Sequence, residues 1–314
     1  MCWGLPRTPG EEAAARSGAY TGTMTDRTPP RPRLFLDARS VLGESPVWDV
    51  DAQELVWTDI TPGLLHRTSA DGLRDRTLPV DPPLPSFQRR RGGGLVAALE
   101  DQVVLTDDDG GSLQVLATID LAKEGMRLNE GKCDPFGAFV VGAMDPDGEP
   151  VAGLWRVGPD GVVTMLRDDF TTTNGFEWND DGSEIFLTDT DRETIYRASW
   201  GADGALGELQ PFSTGGSHDG LARDERGEFW GAVHGESVVV HLDRDGEVLE
   251  RVEFPVPLLT GIGFGGGDLR TLFVLSAREG LDEAQLAEHP LSGGVFALDL
   301  DRAGRAPFLF GPRG

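Results

Sequence analysis

Basic residues and long apolar runs are scarce in this chain of 314 residues. Lys and Arg number 28 against 53 Asp and Glu, which leaves a formal charge of −25 at pH 7. Nucleic acids and anionic membrane surfaces bind through clustered Lys and Arg, so this charge excludes both as partners. No apolar run approaches the ~20 residues that a membrane-spanning helix needs.

Cysteine is also rare, since only Cys2 and Cys133 are present. Two cysteines cannot build the disulfide framework of a small secreted domain, and Cys133 is expected to be a buried apolar residue. The first residues, MCWGLPRTPGEEAAAR, lack the apolar stretch of a secretory signal. These absences predict a soluble, cytoplasmic protein.

Segments that favour helix are few, because glycine is abundant. Glycine accounts for 43 of 314 residues, about twice its usual share of ~7%. One short segment, 281–289 (LDEAQLAEH), is predicted to be helical. An α/β fold would need such a segment between successive strands, so the composition favours an all-β fold.

A repeat begins at residue 33 and indicates which all-β fold this is. Each unit contains short β-rich runs separated by turns, and most runs open at a regular interval. In the second unit the segments 95–98 and 103–106 are predicted to be the opening pair, with the basic run 89–91 in a solvated loop. The unit starts are spaced by 85, 45, 45 and 42 residues, at Glu44, Asn129, Asn174, Asp219 and Gly261. Six units of ~40–45 residues predict a six-bladed β-propeller.

The domain organisation follows from the same pattern. Residues 1–32 are rich in Pro, Gly, Thr, Ala and Arg without apolar periodicity, so they are predicted to be a disordered N-terminal tail. Residues 33–314 are predicted to be a single propeller domain. Within it, the segment 34–36 is expected to complete the last blade and so close the ring.

Equivalent positions in successive blades encircle the central channel, and here four of them carry side-chain oxygen. These positions are Glu44, Asn129, Asn174 and Asp219. Carboxylate and amide oxygens are the ligands that hard divalent cations select. From the spacing alone, a metal site and a set of ordinary turn residues both remain open.

Four sequence motifs in order along the chain narrow this choice. They resemble those of the senescence-marker-protein/gluconolactonase (regucalcin-like) family, and they are LGESPVWD at 42–49, RLNEGKCDPFG at 127–137, NGFEW at 174–178 and DGLA at 219–222. Some positions depart from the family pattern: Glu130 replaces Asp, and His218 stands where Pro is usual. His218 is expected to be a packed or solvent-facing loop residue and not a fourth metal ligand.

The resemblance implies a six-bladed propeller with one divalent metal ion at the channel mouth. By position, Glu44, Asn174 and Asp219 resemble the metal ligands, and Asp219 is also expected to be the catalytic base. Arg127 and Asn129 resemble the substrate-binding pair, and Asp147 falls where the family can place a further acidic substrate contact. An all-oxygen site accepts calcium, magnesium, manganese or zinc, so the resemblance leaves the metal open.

The predicted function is hydrolysis of a sugar lactone or a related ester, with a small-molecule lactone as substrate. A non-catalytic propeller that binds calcium or a sugar acid is the alternative, and a phosphotriester- or other ester-cleaving propeller is a third. Arg127 and Asn129 beside three ligands favour the enzyme, because metal storage alone requires neither of them.

Overall fold

Six four-stranded antiparallel sheets form the blades of a six-bladed β-propeller in the computed structural model. The structure describes residues 30–312. The predicted fold class is therefore confirmed, whereas residues 1–29 of the predicted tail lie outside the described residues. Among the helices of the described range, none has the length and apolar character needed to cross a membrane.

The strands of the first three blades follow the chain from the channel outwards, after an N-terminal strand β1 at Arg33–Leu36. Blade one contains β2 Gly43–Asp49, β3 Glu54–Asp59, β4 Leu64–Ser69 and β5 Asp75–Pro79. Blade two contains β6 Ser86–Arg89, β7 Leu95–Ala98, β8 Gln102–Thr106 and β9 Gln114–Thr118. Blade three contains β10 Arg127–Cys133, β11 Phe139–Met144, β12 Ala152–Val157 and β13 Val163–Phe170.

The remaining blades follow the same order. Blade four contains β14 Thr173–Trp178, β15 Glu184–Asp189, β16 Thr194–Ser199 and β17 Gln210–Thr214. Blade five contains β18 His218–Arg223, β19 Phe229–Val233, β20 Val238–Leu242 and β21 Val248–Glu253. Blade six contains β22 Leu259–Gly265, β23 Thr271–Ser276 and β24 Val295–Asp299. Helix α1 Glu283–Glu288 lies between β23 and β24.

The N-terminal strand closes the ring. Strand β1 pairs antiparallel with β24, with Leu34 opposite Phe296, and so becomes the outermost strand of blade six. Phe35 is buried and its ring meets that of Phe273 edge-on at 4.9 Å. Hydrogen bonds between β1 and β24 thus fix the segment that leads into blade one to the last blade, as predicted for 34–36.

Aromatic side chains fill the spaces between blades. Trp48 of blade one stacks on Phe273 of blade six, with ring centroids 5.8 Å apart. Phe186 of blade four contacts Phe229 of blade five at 4.5 Å. Cys133 is fully buried in the cluster that joins blades two to four, as expected from the sequence.

Blade two differs from the sequence prediction by one strand. The segments 95–98 and 103–106 are its second and third strands, β7 and β8, and the innermost strand is β6. Arg89, predicted to lie in a solvated loop, ends β6 and pairs with Asp49 at 2.9 Å. The prediction was wrong because β6 spans four residues and three of them, Ser86, Gln88 and Arg89, are polar, so it carries little apolar signal.

The C-terminal segment (residues 301–312) crosses the lower face, where the innermost strands end. Its Ala303 accepts a hydrogen bond from the Glu225 backbone of blade five, and Phe310 donates to Arg89 of blade two. Gly311 donates to Gly137 of blade three. The segment therefore ties non-adjacent blades together and covers the lower end of the channel.

The closure by β1 leads to a prediction about stability. Phe35→Ala should lower the free energy of unfolding by about 3–5 kcal/mol, the usual cost of truncating a buried aromatic side chain. Leu34→Ala is the matched control, because Leu34 is 39% exposed and should cost far less. Chemical denaturation measures both, and equal effects would show that β1 does not hold the ring closed.

Candidate active site

A cavity of about 310 Å³ opens at the upper end of the channel, where the innermost strands begin. Five of the six residues predicted to form the site line it: Glu44, Arg127, Asn129, Asn174 and Asp219. They come from the innermost strands of blades one, three, four and five. The ring geometry thus brings residues 175 positions apart in the chain, 44 and 219, into one cavity.

A β-bulge lies at the site end of each strand that supplies these side chains. The register of β2 shifts between Glu44 and Val47, that of β10 between Leu128 and Gly131, and those of β14 and β18 directly after Asn174 and His218. A bulge inserts an extra residue and re-aims the side chains beside it. In the described sheet of blade two, β6 pairs with β7 without such a shift and supplies no side chain to the cavity.

Two carboxylates lie buried at the centre of the site. The side chains of Glu44 and Asp219 belong to residues that are 7% and 8% exposed. Burial raises the pKa of both carboxyl groups, and for Glu44 the nearby negative charges of Asp219 and Glu130 raise it further. Two carboxyl groups in this environment need a cation or a shared proton to compensate their charge.

The position of blade six at this level is occupied by glycine for a steric reason. A Cβ at Gly261 would lie 2.6 Å from Oε2 of Glu44 and 2.9 Å from the Ser45 backbone nitrogen. A side chain at Gly261, the position in blade six that corresponds to Asp219, would therefore collide with the Glu44 carboxylate.

Hydrogen bonds connect the polar residues of blades three and four. Arg127 Nη1 donates to Asn129 Oδ1 at 2.5 Å, and Asn129 Nδ2 donates to Asn174 Oδ1 at 2.8 Å. Asn174 Nδ2 in turn donates to Thr190 Oγ1 at 2.8 Å. This order fixes the Asn174 amide with its oxygen towards Asn129. A carbonyl oxygen has two lone pairs, so one remains for a metal ion.

The structure separates Asp147 and His218 from these residues. Asp147 is not among the residues that line the cavity; its carboxylate accepts a hydrogen bond from Lys123 at 2.8 Å. His218 is 2% exposed and lies beneath Gly231, and burial lowers its pKa to about 4. A histidine packed in this way is neutral at pH 7.

Two titratable cavity residues, His234 and Glu279, were not among the predicted site residues. His234 follows β19, and its Nδ1 donates to the Leu259 carbonyl at 3.1 Å. Glu279 stands at the rim and accepts a hydrogen bond from Thr61 at 2.5 Å. Both lie in loops outside the motifs. Only the position of His234 after a strand gave a signal, and Glu279 gave none.

A second group of potential metal ligands is already neutralised. Asp224, Glu228 and His241 of blade five place their ligand atoms within 4.8 Å of one another. Arg302 of the C-terminal segment reaches into this group and donates to Glu228 Oε2 at 2.8 Å. The guanidinium takes the place that a cation would need, so the upper cavity is the better candidate for a metal ion.

Comparisons with known proteins identify the family of this chain. The protein-family model of the SMP-30/gluconolactonase/LRE-like region matches residues 42–278 of the sequence. A 6-deoxy-6-sulfogluconolactonase of Pseudomonas putida is 36% identical over 86% of this chain and 95% of its own length. An L-arabinolactonase of Azospirillum brasilense is 31% identical over 90% of this chain and 96% of its own.

A solved structure of a calcium-binding protein, regucalcin, from Agrobacterium tumefaciens superposes with a TM-score of 0.84 at 28% identity. It covers 90% of this chain and 98% of the solved one. The family predicted from the four motifs is thereby confirmed. The chain belongs to the SMP-30/gluconolactonase/LRE-like family.

Proposed function

We propose that this protein is a metal-dependent lactonase that opens a sugar lactone in the upper cavity. The single observation that carries the proposal is the pair of buried carboxylates, Glu44 and Asp219. They lie beside the side chains of Arg127, Asn129 and Asn174, which are linked by hydrogen bonds. The names of the relatives support the reaction, because two of them are described as lactonases of sugar-derived substrates.

The donor set fits one divalent cation. Glu44 and Asp219 supply two negative charges and Asn174 supplies a neutral oxygen, which is the chemistry that calcium, magnesium, manganese and zinc accept. The calcium-binding name of the Agrobacterium regucalcin supports a divalent ion without identifying it here. Such an ion would polarise the lactone carbonyl and lower the pKa of a water molecule.

Asp219 is the proposed general base. Its Oδ2 lies 3.8 Å from Nδ1 of His234, and its carboxylate faces the cavity. The carboxylate takes a proton from the water whose oxygen bonds to the lactone carbonyl carbon. When the bond from that carbon to the ring oxygen breaks, the same proton can pass to the ring oxygen, which becomes the hydroxyl of the product.

Arg127 is the proposed substrate-binding cation. Its guanidinium is held by Asn129 and by the Leu128 carbonyl, so few of its rotamers remain to be ordered on binding. A guanidinium fork matches the two oxygens of a lactone or of the carboxylate formed on opening. Asn129 is proposed to contact the same substrate, and Asp147 would reach it only after leaving Lys123.

The first prediction about the site separates the two proposed roles of Asp219, as a metal ligand and as the general base. Asp219→Asn keeps an oxygen ligand and removes the base, so it should bind metal more weakly and lose about 10²–10⁴-fold in kcat. Hydrolysis of a panel of aldonolactones, followed by a pH indicator, measures this. Chelated parent protein should be inactive and recover with a divalent ion; full activity after chelation would end the metal-dependent mechanism.

The second prediction concerns Arg127. Arg127→Ala should keep its affinity for metal, since Arg127 is not a ligand, and should lose roughly tenfold to a hundredfold in kcat/KM, the usual loss with a charged hydrogen bond. Calorimetric metal titration and lactone kinetics on the same preparation measure both. A variant that loses metal and activity together would place the guanidinium in the metal site.

The third prediction uses stability in place of activity. Glu44→Gln removes one of two buried like charges, so in chelated protein at pH 7 it should unfold at a higher temperature than the parent. Adding a divalent ion should stabilise the parent more than the variant, which reverses or narrows the difference. If metal stabilises both proteins equally, Glu44 is not a ligand.

A further inference from the structure

A second cavity, of about 200 Å³, lies at the lower end of the same channel. The innermost strands form its walls and residues 305–308 of the C-terminal segment form its floor. It shares none of its lining residues with the upper cavity, and the proposed lactonase chemistry does not use it.

Three N–H groups of residues around this cavity have no acceptor among the described residues. They belong to Nε of Arg223, Nε of Arg305 and Nε1 of Trp178. Trp178 is 1% and Arg223 8% exposed, and in Arg305, whose side chain is partly exposed, the Nε atom itself is buried, so solvent at the protein surface does not reach these groups. A buried donor without a partner is costly, and three around one cavity indicate a missing acceptor.

Among the described residues that line this cavity and their ion-pair partners, positive charges outnumber negative ones by one. Lys132 donates to Glu177 at 2.6 Å and to the carbonyls of Phe176 and Leu221, so this pair is satisfied. Arg223 and Arg305 both bind the same oxygen, Oδ1 of Asp180. Two guanidinium groups thus share one carboxylate, in a protein whose formal charge is −25.

The remaining walls indicate the size and kind of ligand. Apolar side chains line the rest of the cavity, among them Ile262, Phe264 and Pro307. Gln88 also lines it, is 2% exposed, and its Oε1 has no donor among the described residues. A carboxylate satisfies the three N–H groups, and a hydroxyl on the same molecule would satisfy Gln88.

We propose that the lower cavity binds a short hydroxycarboxylate whose carboxylate accepts from Arg223, Arg305 and Trp178. The bound anion would neutralise the extra guanidinium and link the C-terminal segment to blades four and five. The Arg305 side chain is 35% exposed, so the ligand enters past this residue.

The test uses sodium lactate as the probe on the full-length, metal-loaded protein. The melting temperature should rise with lactate concentration, as for any ligand that binds only the folded state. Propionate lacks the hydroxyl and should bind more weakly, and lactamide, which lacks the charge, should have no effect. A shift no larger than that given by sodium chloride at equal ionic strength would overturn the proposal.

Variants assign the effect to the lower cavity. Trp178→Phe and Arg305→Gln should each weaken lactate binding about tenfold or more in calorimetry, and Trp178→Phe should fold as well as the parent without lactate because it removes an unpaired donor. Arg226→Gln is the matched control, since Arg226 pairs with Asp301 at 3.8 Å outside the cavity and should bind lactate normally.

One further control separates this site from the upper cavity. Arg127→Ala should retain the part of the lactate effect that Arg305→Gln loses, and Arg305→Gln should retain lactone hydrolysis. Loss of the lactate effect in Arg127→Ala, or normal lactate binding by both Trp178→Phe and Arg305→Gln, would place the carboxylate elsewhere and overturn the proposal.

Discussion

The repulsion between two buried carboxylates is the constraint on which the upper end of the channel depends. Glu44 and Asp219 belong to different blades, and the closed ring prevents them from moving apart. Burial and proximity raise the pKa of Glu44, while the guanidinium of Arg127 offsets part of this effect. The remaining charge is what makes this end of the propeller suited to a cation.

The backbone supports the same arrangement. Bulges in β2, β14 and β18 accompany the three proposed ligands, and Ser45, next to Glu44, has a φ of 51°. A positive φ is uncommon for a residue other than glycine and indicates that surrounding structure holds the backbone there. A third carboxyl group, that of Glu130, lies beneath the site, and burial raises its pKa to about 7, so it carries only part of its negative charge at neutral pH.

Much of this architecture could be predicted from the sequence because it repeats. The interval of 42–45 residues between opening positions requires each blade to present its first strand at the same level, so Asn129, Asn174 and Asp219 had to meet. The prediction failed for blade two, because β6 keeps the interval, beginning at Ser86, but is short, mostly polar and lacks a bulge. Loop residues such as Glu279 could not be found, because their approach depends on how loops of blades one and six fold over the rim.

The lower end of the channel shows a different limit of sequence reasoning. Nothing in the order of residues indicates that Arg305, near the C-terminus, shares Asp180 with Arg223 of blade five. That contact arises only because the C-terminal segment crosses the lower face. Carboxylates outnumber the Arg127 guanidinium at the upper cavity, whereas cationic side chains outnumber the Glu177 carboxylate at the lower one.

The most direct measurement of the central claim is an anomalous difference map from crystals soaked in Mn²⁺. The account predicts one strong peak at the upper cavity, about 2.0–2.6 Å from oxygens of Glu44, Asn174 and Asp219. It predicts no peak between Asp224, Glu228 and His241, where Arg302 supplies the positive charge. A peak at that second group, or none at the upper cavity, would contradict the account.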